Sequence, residues 1–152
     1  MNRAGLILLA GLGSLGLLTA AFGFQHLGGL APCEMCIWQR YPHGIAFGLS
    51  VLGYFAPFAF IILLGSAATL GTGGIGGYHM GVEQGWWEGP STCSSGDISD
   101  LTPDQLMDQI LTAPLVQCDQ IAWSLAGVSM AGWNAIISLM LAGVWLMALR
   151  RA

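Results

Sequence analysis

Apolar residues come in long unbroken runs along this chain. They show neither the alternation of a half-buried strand nor the one-sided stripe of a soluble helix. The first run covers 4–24, with Arg3 before it and Gln25-His26 after it. About 20 apolar residues suffice to cross a bilayer as a helix. A secretory leader is the competing reading, since a positive residue leads the run and Thr19, Ala20 and Ala21 are small. The run exceeds the roughly 7–15 residues of a leader's apolar stretch, which favours a retained helix. Residues 37–77 are almost continuously apolar and have room for two helices. The segment Gly53-Tyr54-Phe55-Ala56-Pro57 is the best break, because proline and nearby glycine end helices. It predicts helices at 37–52 and 58–79 with a short uncharged connection; a re-entrant segment is the other reading. The last run, 121–149, ends at Arg150-Arg151.

Between the third and fourth runs the chain turns polar, rich in Gly, Ser, Asp and Pro. Within it, Thr102-Pro103-Asp104-Gln105 reads as a helix start: Thr102 as N-cap, Pro103 at the first helical position and Gln105 completing a capping box. Leu101 is placed to staple onto Leu106. Leu106, Met107, Ile110 and Leu111 share one face, and Pro114 stops the helix. Such a helix either lies on a membrane surface or packs on its own loop. The fold class expected is all-α: one transmembrane domain over 1–152, a four-helix bundle with exterior loops at 25–36 and 80–120.

Composition supports the membrane reading. The chain is 55% hydrophobic and 8% charged, against about 25% charged in a soluble domain. So few charges could not cover a water-facing surface of this size. A net charge of −4 offers no basic footprint for nucleic acid. Seven of the eight acidic residues fall from Glu83 to Asp119, a stretch without Lys or Arg, whereas Arg3, Arg150 and Arg151 sit at the chain ends. Four spans put both termini on one side, and the arginines make that side cytoplasmic. Gly73, Gly77 and Gly81, and also Gly44 and Gly48, recur every fourth residue, a spacing that lets helices approach closely in lipid.

All four cysteines fall in or beside the two exterior loops: Cys33, Cys36, Cys93 and Cys118. An even number on the oxidising face points to disulfides. Three pairings are possible, and the residues alone leave them open. Cys33-Glu34-Met35-Cys36 is a C-x-x-C. Haem attachment needs a histidine after it, where Ile37 stands. A zinc site needs four ligands at compatible spacing, and Cys93 and Cys118 make no second knuckle, so no metal is expected. A purely structural bridge in the long loop is the plain alternative to thiol exchange; a C-x-x-C in the same exterior region tips the balance toward exchange. Cys36 begins the second helix, where the dipole favours a thiolate. Arg40, four residues on, falls on the same helical face. Its other reading is a side chain snorkelling to head groups, and Pro42 threatens to kink the first turns.

The run Pro32-Cys33-Glu34-Met35-Cys36-Ile37-Trp38-Gln39-Arg40, followed by Tyr78-His79-Met80-Gly81-Val82-Glu83, Gly89-Pro90-Ser91-Thr92-Cys93 and Cys118, resembles the disulfide-bond formation protein B (DsbB) family. The likeness covers nearly the whole chain. It implies an inner-membrane protein-dithiol:quinone oxidoreductase, one member of the DsbA–DsbB–quinone relay that keeps the bacterial periplasm oxidising and serves protein folding there. By this resemblance a DsbA-like thioredoxin-fold partner attacks Cys93 of a Cys93–Cys118 disulfide, Cys118 passes the electrons to the Cys33–Cys36 pair, and Cys36 faces ubiquinone or menaquinone. Arg40 holds the quinone oxygen, and His79, at the outer end of the third helix, lies near the quinone.

Taken alone, His79 reads as an interfacial side chain. Glu83, in the same stretch of the resemblance, is a weaker candidate than His79 for a place near the quinone, and His26 and His43 carry no assigned role. Trp38, Trp86, Trp87 and Trp123 read as an aromatic belt, with Trp38 a candidate wall of the quinone pocket. Two other functions compete. One is a membrane scaffold or assembly factor stapled by a structural disulfide. The other is a quinone reductase of the vitamin K epoxide reductase type, whose C-x-x-C usually comes late in the chain rather than after the first span.

Overall fold

The computed structural model describes residues 1–93, 102–112 and 116–151. The chain is mostly helical. Helix α1 is Arg3–His26, α2 Glu34–Phe55, α3 Ala59–Glu83, α4 Pro103–Thr112 and α5 Met130–Leu149. Two short strands, β1 (Ser124–Leu125) and β2 (Val128–Ser129), form the one small sheet among the described residues. Helices α1, α3 and α5 are each long and apolar enough to cross a membrane. Helix α2 is equally long but carries Gln39, Arg40 and His43. The four long helices pack around one another: α1 against α2 and α5, and α3 against α2 and α5.

Several boundaries differ from the sequence expectation, each for a local reason. Helix α2 starts at Glu34 rather than at 37, because Cys33 caps it: its Sγ accepts a hydrogen bond from the Cys36 N–H at 3.2 Å. The acidic Glu34 in the first turn suits the positive end of the helix dipole. The whole C-x-x-C therefore lies on the first turn. Gly53 does not break α2. It sits inside the core against Ile7 and Ile61, and the helix ends at the cap residue Ala56, just before Pro57. Pro42 is accommodated within α2, so the register from Cys36 to Arg40 stays helical.

The apolar run from Ile121 is not one helix. Ala126 and Gly127 both have positive φ, 53° and 78°, which gives a two-residue hairpin turn between β1 and β2. Ser129 then caps α5 by accepting from the Gly132 N–H at 3.2 Å. The capping box on α4 is present: the Thr102 N–H donates to Gln105 Oε1 at 3.0 Å, and the Gln105 N–H donates to Thr102 Oγ1 at 3.4 Å. The expected staple and stop, at Leu101 and Pro114, lie outside the described residues, as do the side chains of Leu106 and Ile110.

The glycine stripes resolve into contacts and bystanders. Gly44 and Gly48 face outward on α2, and Gly77 likewise has open space beside it. Gly73 does face α5, and Gly81 lies under the Trp87 ring. The tightest approach of a glycine to the backbone of a neighbouring helix is at Gly76, which the fourfold spacing skipped. A Cβ there would come within 2.9 Å of the Ala131 carbonyl oxygen and 3.1 Å of the Ala135 nitrogen. At the far end of the helices the core is apolar, built on Ile7, Ile62 and the fully buried Trp145.

Gly76→Ala is expected to lower stability by about 1–3 kcal/mol, because backbone has to move to admit the methyl group. Gly77→Ala is expected to leave stability unchanged or raise it by up to about 1 kcal/mol through helix propensity. The midpoint of detergent-induced unfolding, followed by circular dichroism, reads both.

Candidate functional site

The site is built where the α1–α2 turn, the C-terminal end of α3 and the long loop meet. Cys93 and Cys118 form a disulfide, and both are fully buried. The Cys118 N–H donates to the Cys93 carbonyl at 2.6 Å, tying the two ends of the loop together. Cys33 and Cys36 are free thiols, and their sulfurs lie 2.8 Å apart. All four cysteines pack into one cluster with Met35 and Val116. The structure thus holds one disulfide and one dithiol side by side.

His79 sits at the junction. Its Nε2 is 3.1 Å from the Cys118 carbonyl oxygen and 3.6 Å from Cys33 Sγ. Its Nδ1 is 2.9 Å from Gln39 Nε2. These contacts are satisfied together when the Gln39 amide donates to Nδ1 and the Nε2–H donates to the carbonyl. His79 then docks the disulfide-bearing loop onto the helices. The sulfur atoms of Cys33 and Cys118 and a ring nitrogen of His79 lie within 4.8 Å of one another. The hydrogen bond that Cys33 shares with Cys36, followed by burial, holds the Cys33 thiol well above the usual cysteine range. Cys33 therefore keeps its proton, and Cys36 Sγ accepts it in the hydrogen bond.

Cys36 and Arg40 both line a cavity of about 500 Å³ between α1, α2 and α5. Its walls are mainly apolar, with Leu17, Phe24, Trp123 and Ile137 among them, and His79 and Glu83 reach it from α3. The Arg40 guanidinium donates to Gln25 Oε1 at 2.5 Å and stacks 4.9 Å over the Phe22 ring, while its Nε is buried without a partner. Trp38 is 40% exposed and is not on the cavity, so its expected place as a wall falls to Trp123 and Trp133. The reason is helical phase: Trp38 lies two residues from both Cys36 and Arg40, which turns it to the opposite face. Trp87 is exposed, stacks on Tyr78 and donates to the Tyr78 carbonyl.

The sequence that builds this site has relatives. The family model described as Disulfide bond formation protein DsbB matches residues 3–148. The chain belongs to the DsbB family. It is 30% identical to Disulfide bond formation protein B of Albidiferax ferrireducens, over 92% of this chain and 86% of the relative. It is 31% identical to the protein of that name from Verminephrobacter eiseniae, over 93% and 82%, and 30% identical to that of Dechloromonas aromatica, over 84% and 80%. No solved structure matches the chain. Membership in the DsbB family, with three membrane-capable helices, makes this a disulfide-forming membrane protein.

Two features of this DsbB-family site escaped sequence reasoning. The first is a buried polar network. Asn134 Nδ2 donates to Gln39 Oε1 at 2.7 Å, His43 Nε2 lies 2.8 Å from Asn134 Oδ1, and Thr72 Oγ1 donates to the Gln39 carbonyl at 3.0 Å. It joins α2, α3 and α5 and ends on His79. The signal available was its residue types: Gln39, His43, Thr72 and Asn134 are polar residues inside apolar runs, and such residues face a helix bundle's interior. The second is Trp133, which lines the cavity and donates to the Leu125 carbonyl at 3.1 Å. Nothing in its spacing marked it.

The juxtaposition of Cys33 and Cys118 makes a clear prediction. In a Cys36→Ser/Cys93→Ser variant, the remaining thiols are expected to cross-link spontaneously under mild oxidant. In Cys33→Ser/Cys93→Ser the cross-link should form at least about tenfold more slowly, since misplacement by an ångström or so sharply lowers effective molarity. Timed alkylation and peptide mapping measure both.

Proposed function

We propose that this chain reoxidises a periplasmic thioredoxin-like dithiol oxidase of the DsbA type and passes the two electrons to a membrane quinone, ubiquinone or menaquinone. The observation that carries this reading is the Cys33–Cys118 juxtaposition beside an apolar cavity lined by Cys36 and Arg40. In this reading α2 crosses the membrane with the other three long helices. The cysteine end faces the periplasm, and Arg3, Arg150 and Arg151 lie at the cytoplasmic end of the inner membrane.

Electrons enter at the long loop. A partner thiolate attacks one sulfur of the Cys93–Cys118 disulfide, and the second partner thiol closes the partner's own disulfide, leaving Cys93 and Cys118 as thiols. Two electrons and two protons have then entered the chain. The Cys33–Cys36 pair, in its oxidised form, takes them by the same exchange: Cys118 attacks Cys33, and Cys93 then attacks Cys118, which restores the Cys93–Cys118 disulfide and leaves Cys33 as a thiol. Cys36 is released as the leaving sulfur, and it faces the cavity. The helix N-terminus and Arg40 favour negative charge on that sulfur.

The cavity suits a quinone by its chemistry. Its walls are apolar, as a lipid-dissolved ring requires, and Arg40 and His43 each bring a buried nitrogen without a partner. When bound, a quinone supplies an acceptor for two electrons and two protons, the amount that a dithiol releases on closing. The residues that hold it are Cys36 and Arg40, with His79 on the α3 side. Arg40 is anchored by Gln25, so its position does not depend on the ligand.

Cys36→Ser is expected to abolish quinone-dependent oxidation of a reduced thioredoxin-like partner while leaving exchange at Cys93–Cys118 measurable in a single turnover. Quinone-dependent turnover that survives this change refutes the assignment. Arg40→Ala is expected to raise the apparent KM for quinone by about tenfold to a hundredfold, the worth of a charged hydrogen bond of roughly 1.5–3 kcal/mol, with little change in the partner's KM. Arg40→Lys should recover only part of this loss, since lysine lacks the planar fork. Steady-state kinetics with each substrate varied separately resolve these effects.

A further inference from the structure

We propose that the fully reduced chain carries a binding site for a borderline-soft divalent cation, with zinc as its natural occupant, made by Cys33, Cys118 and His79. These residues come from the α2 cap, the end of the long loop and the outer turn of α3. Their sulfur and nitrogen atoms lie within 4.8 Å of one another, and all three residues are buried. Zinc takes thiolate sulfur at about 2.3 Å and imidazole nitrogen at about 2.0 Å in a tetrahedral set, so ligands around one ion stand roughly 3–4 Å apart. Small side-chain shifts close the present arrangement to that size. Cys36 Sγ, 2.8 Å from Cys33 Sγ, is the nearest fourth donor.

The site is gated by redox state. In the structure Cys118 is bonded to Cys93, and a disulfide sulfur does not offer the anionic lone pairs of a thiolate. Reduction of that bond frees the Cys118 sulfur, and the backbone hydrogen bond from Cys118 N–H to the Cys93 carbonyl, which involves neither sulfur nor His79, still ties the two ends of the loop together. The ion then replaces the protons of the coordinating thiols, which leave to solvent; no electron moves. Rotation of the Gln39 amide exchanges its bond from Asn134 for one from His79 Nδ1–H, the outer-shell partner that such histidines use, and Nε2 passes from the Cys118 carbonyl to the ion. An ion held here ties together the two sulfurs that face each other across the two cysteine pairs. It therefore holds the electron-loaded chain out of further exchange. The site stands on geometry and donor chemistry alone and does not depend on the quinone reading.

Cobalt(II) is the spectroscopic probe, added to the full-length protein in detergent under anaerobic conditions. Protein reduced by a phosphine and freed of it is expected to bind one equivalent, with thiolate-to-metal charge transfer and tetrahedral ligand-field bands that zinc bleaches. Oxidised wild-type protein, which needs no substitution, should show neither band. Under zinc, Cys33 and Cys118 should be protected from alkylation while Cys93 remains reactive. His79→Ala should weaken binding by at least about tenfold, and Cys118→Ser should do so more severely. The proposal is overturned if the reduced protein gives no bands, if the oxidised protein gives the same bands, or if binding survives both substitutions undiminished. That last result would place the ion on the C-x-x-C alone.

Discussion

A polar atom buried among lipid-facing helices has no water to turn to, so the protein must satisfy it from within. In this chain that constraint is met chiefly by one network, running from His43 and Asn134 through Gln39 to His79. It fixes α2, α3 and α5 relative to one another by directional bonds, whereas apolar packing alone has little preference between lipid and protein as neighbour. Its last member spends its remaining nitrogen on the Cys118 carbonyl. The position of the long loop's disulfide is therefore set from inside the helices. The loop's own short segments do not have to fix it.

The consequence is a site in which two kinds of surroundings meet within a few ångströms. On one side lie buried sulfurs held by backbone and imidazole contacts. On the other is a cavity with apolar walls and a guanidinium at its rim. Cys33 and Cys36 stand on the boundary: both line the cavity, and Cys33 also lies against His79 and Cys118. A helix cap holds them there: Cys33 Sγ takes the Cys36 N–H at the start of α2. Arg40 then needs only the regular helical repeat to reach the same cavity as Cys36, and Pro42 beyond it does not disturb that register.

Packing at the opposite end follows a different logic. There the helices are held by close approach and by large apolar side chains. Trp145 lies over Gly65 where a side chain would collide, and Ile7 and Ile62 pack in the same cluster. That half carries no chemistry and serves as the rigid base for the half that does. The arginines at its tip, Arg3, Arg150 and Arg151, leave the positive charge of the chain ends at that end.

The sequence by itself determined the things that depend on local pattern: the long apolar helices, the capping box at Thr102–Gln105, the C-x-x-C and the helical repeat from Cys36 to Arg40. Each is written within a few residues of where it acts. It misplaced the start of α5, because an apolar hairpin and an apolar helix look alike until Gly127 and Ser129 are weighed as turn and cap. Its fourfold glycine spacing passed over Gly76, because which face of a helix meets a neighbour is not encoded in that helix alone. Only the tertiary structure decided that His79 reaches Cys118, that Gln39, His43 and Asn134 form one network, and that Trp133 rather than Trp38 walls the cavity. Those contacts join residues up to 95 positions apart. Their geometry comes from how helices pack, and no single stretch of sequence holds that information.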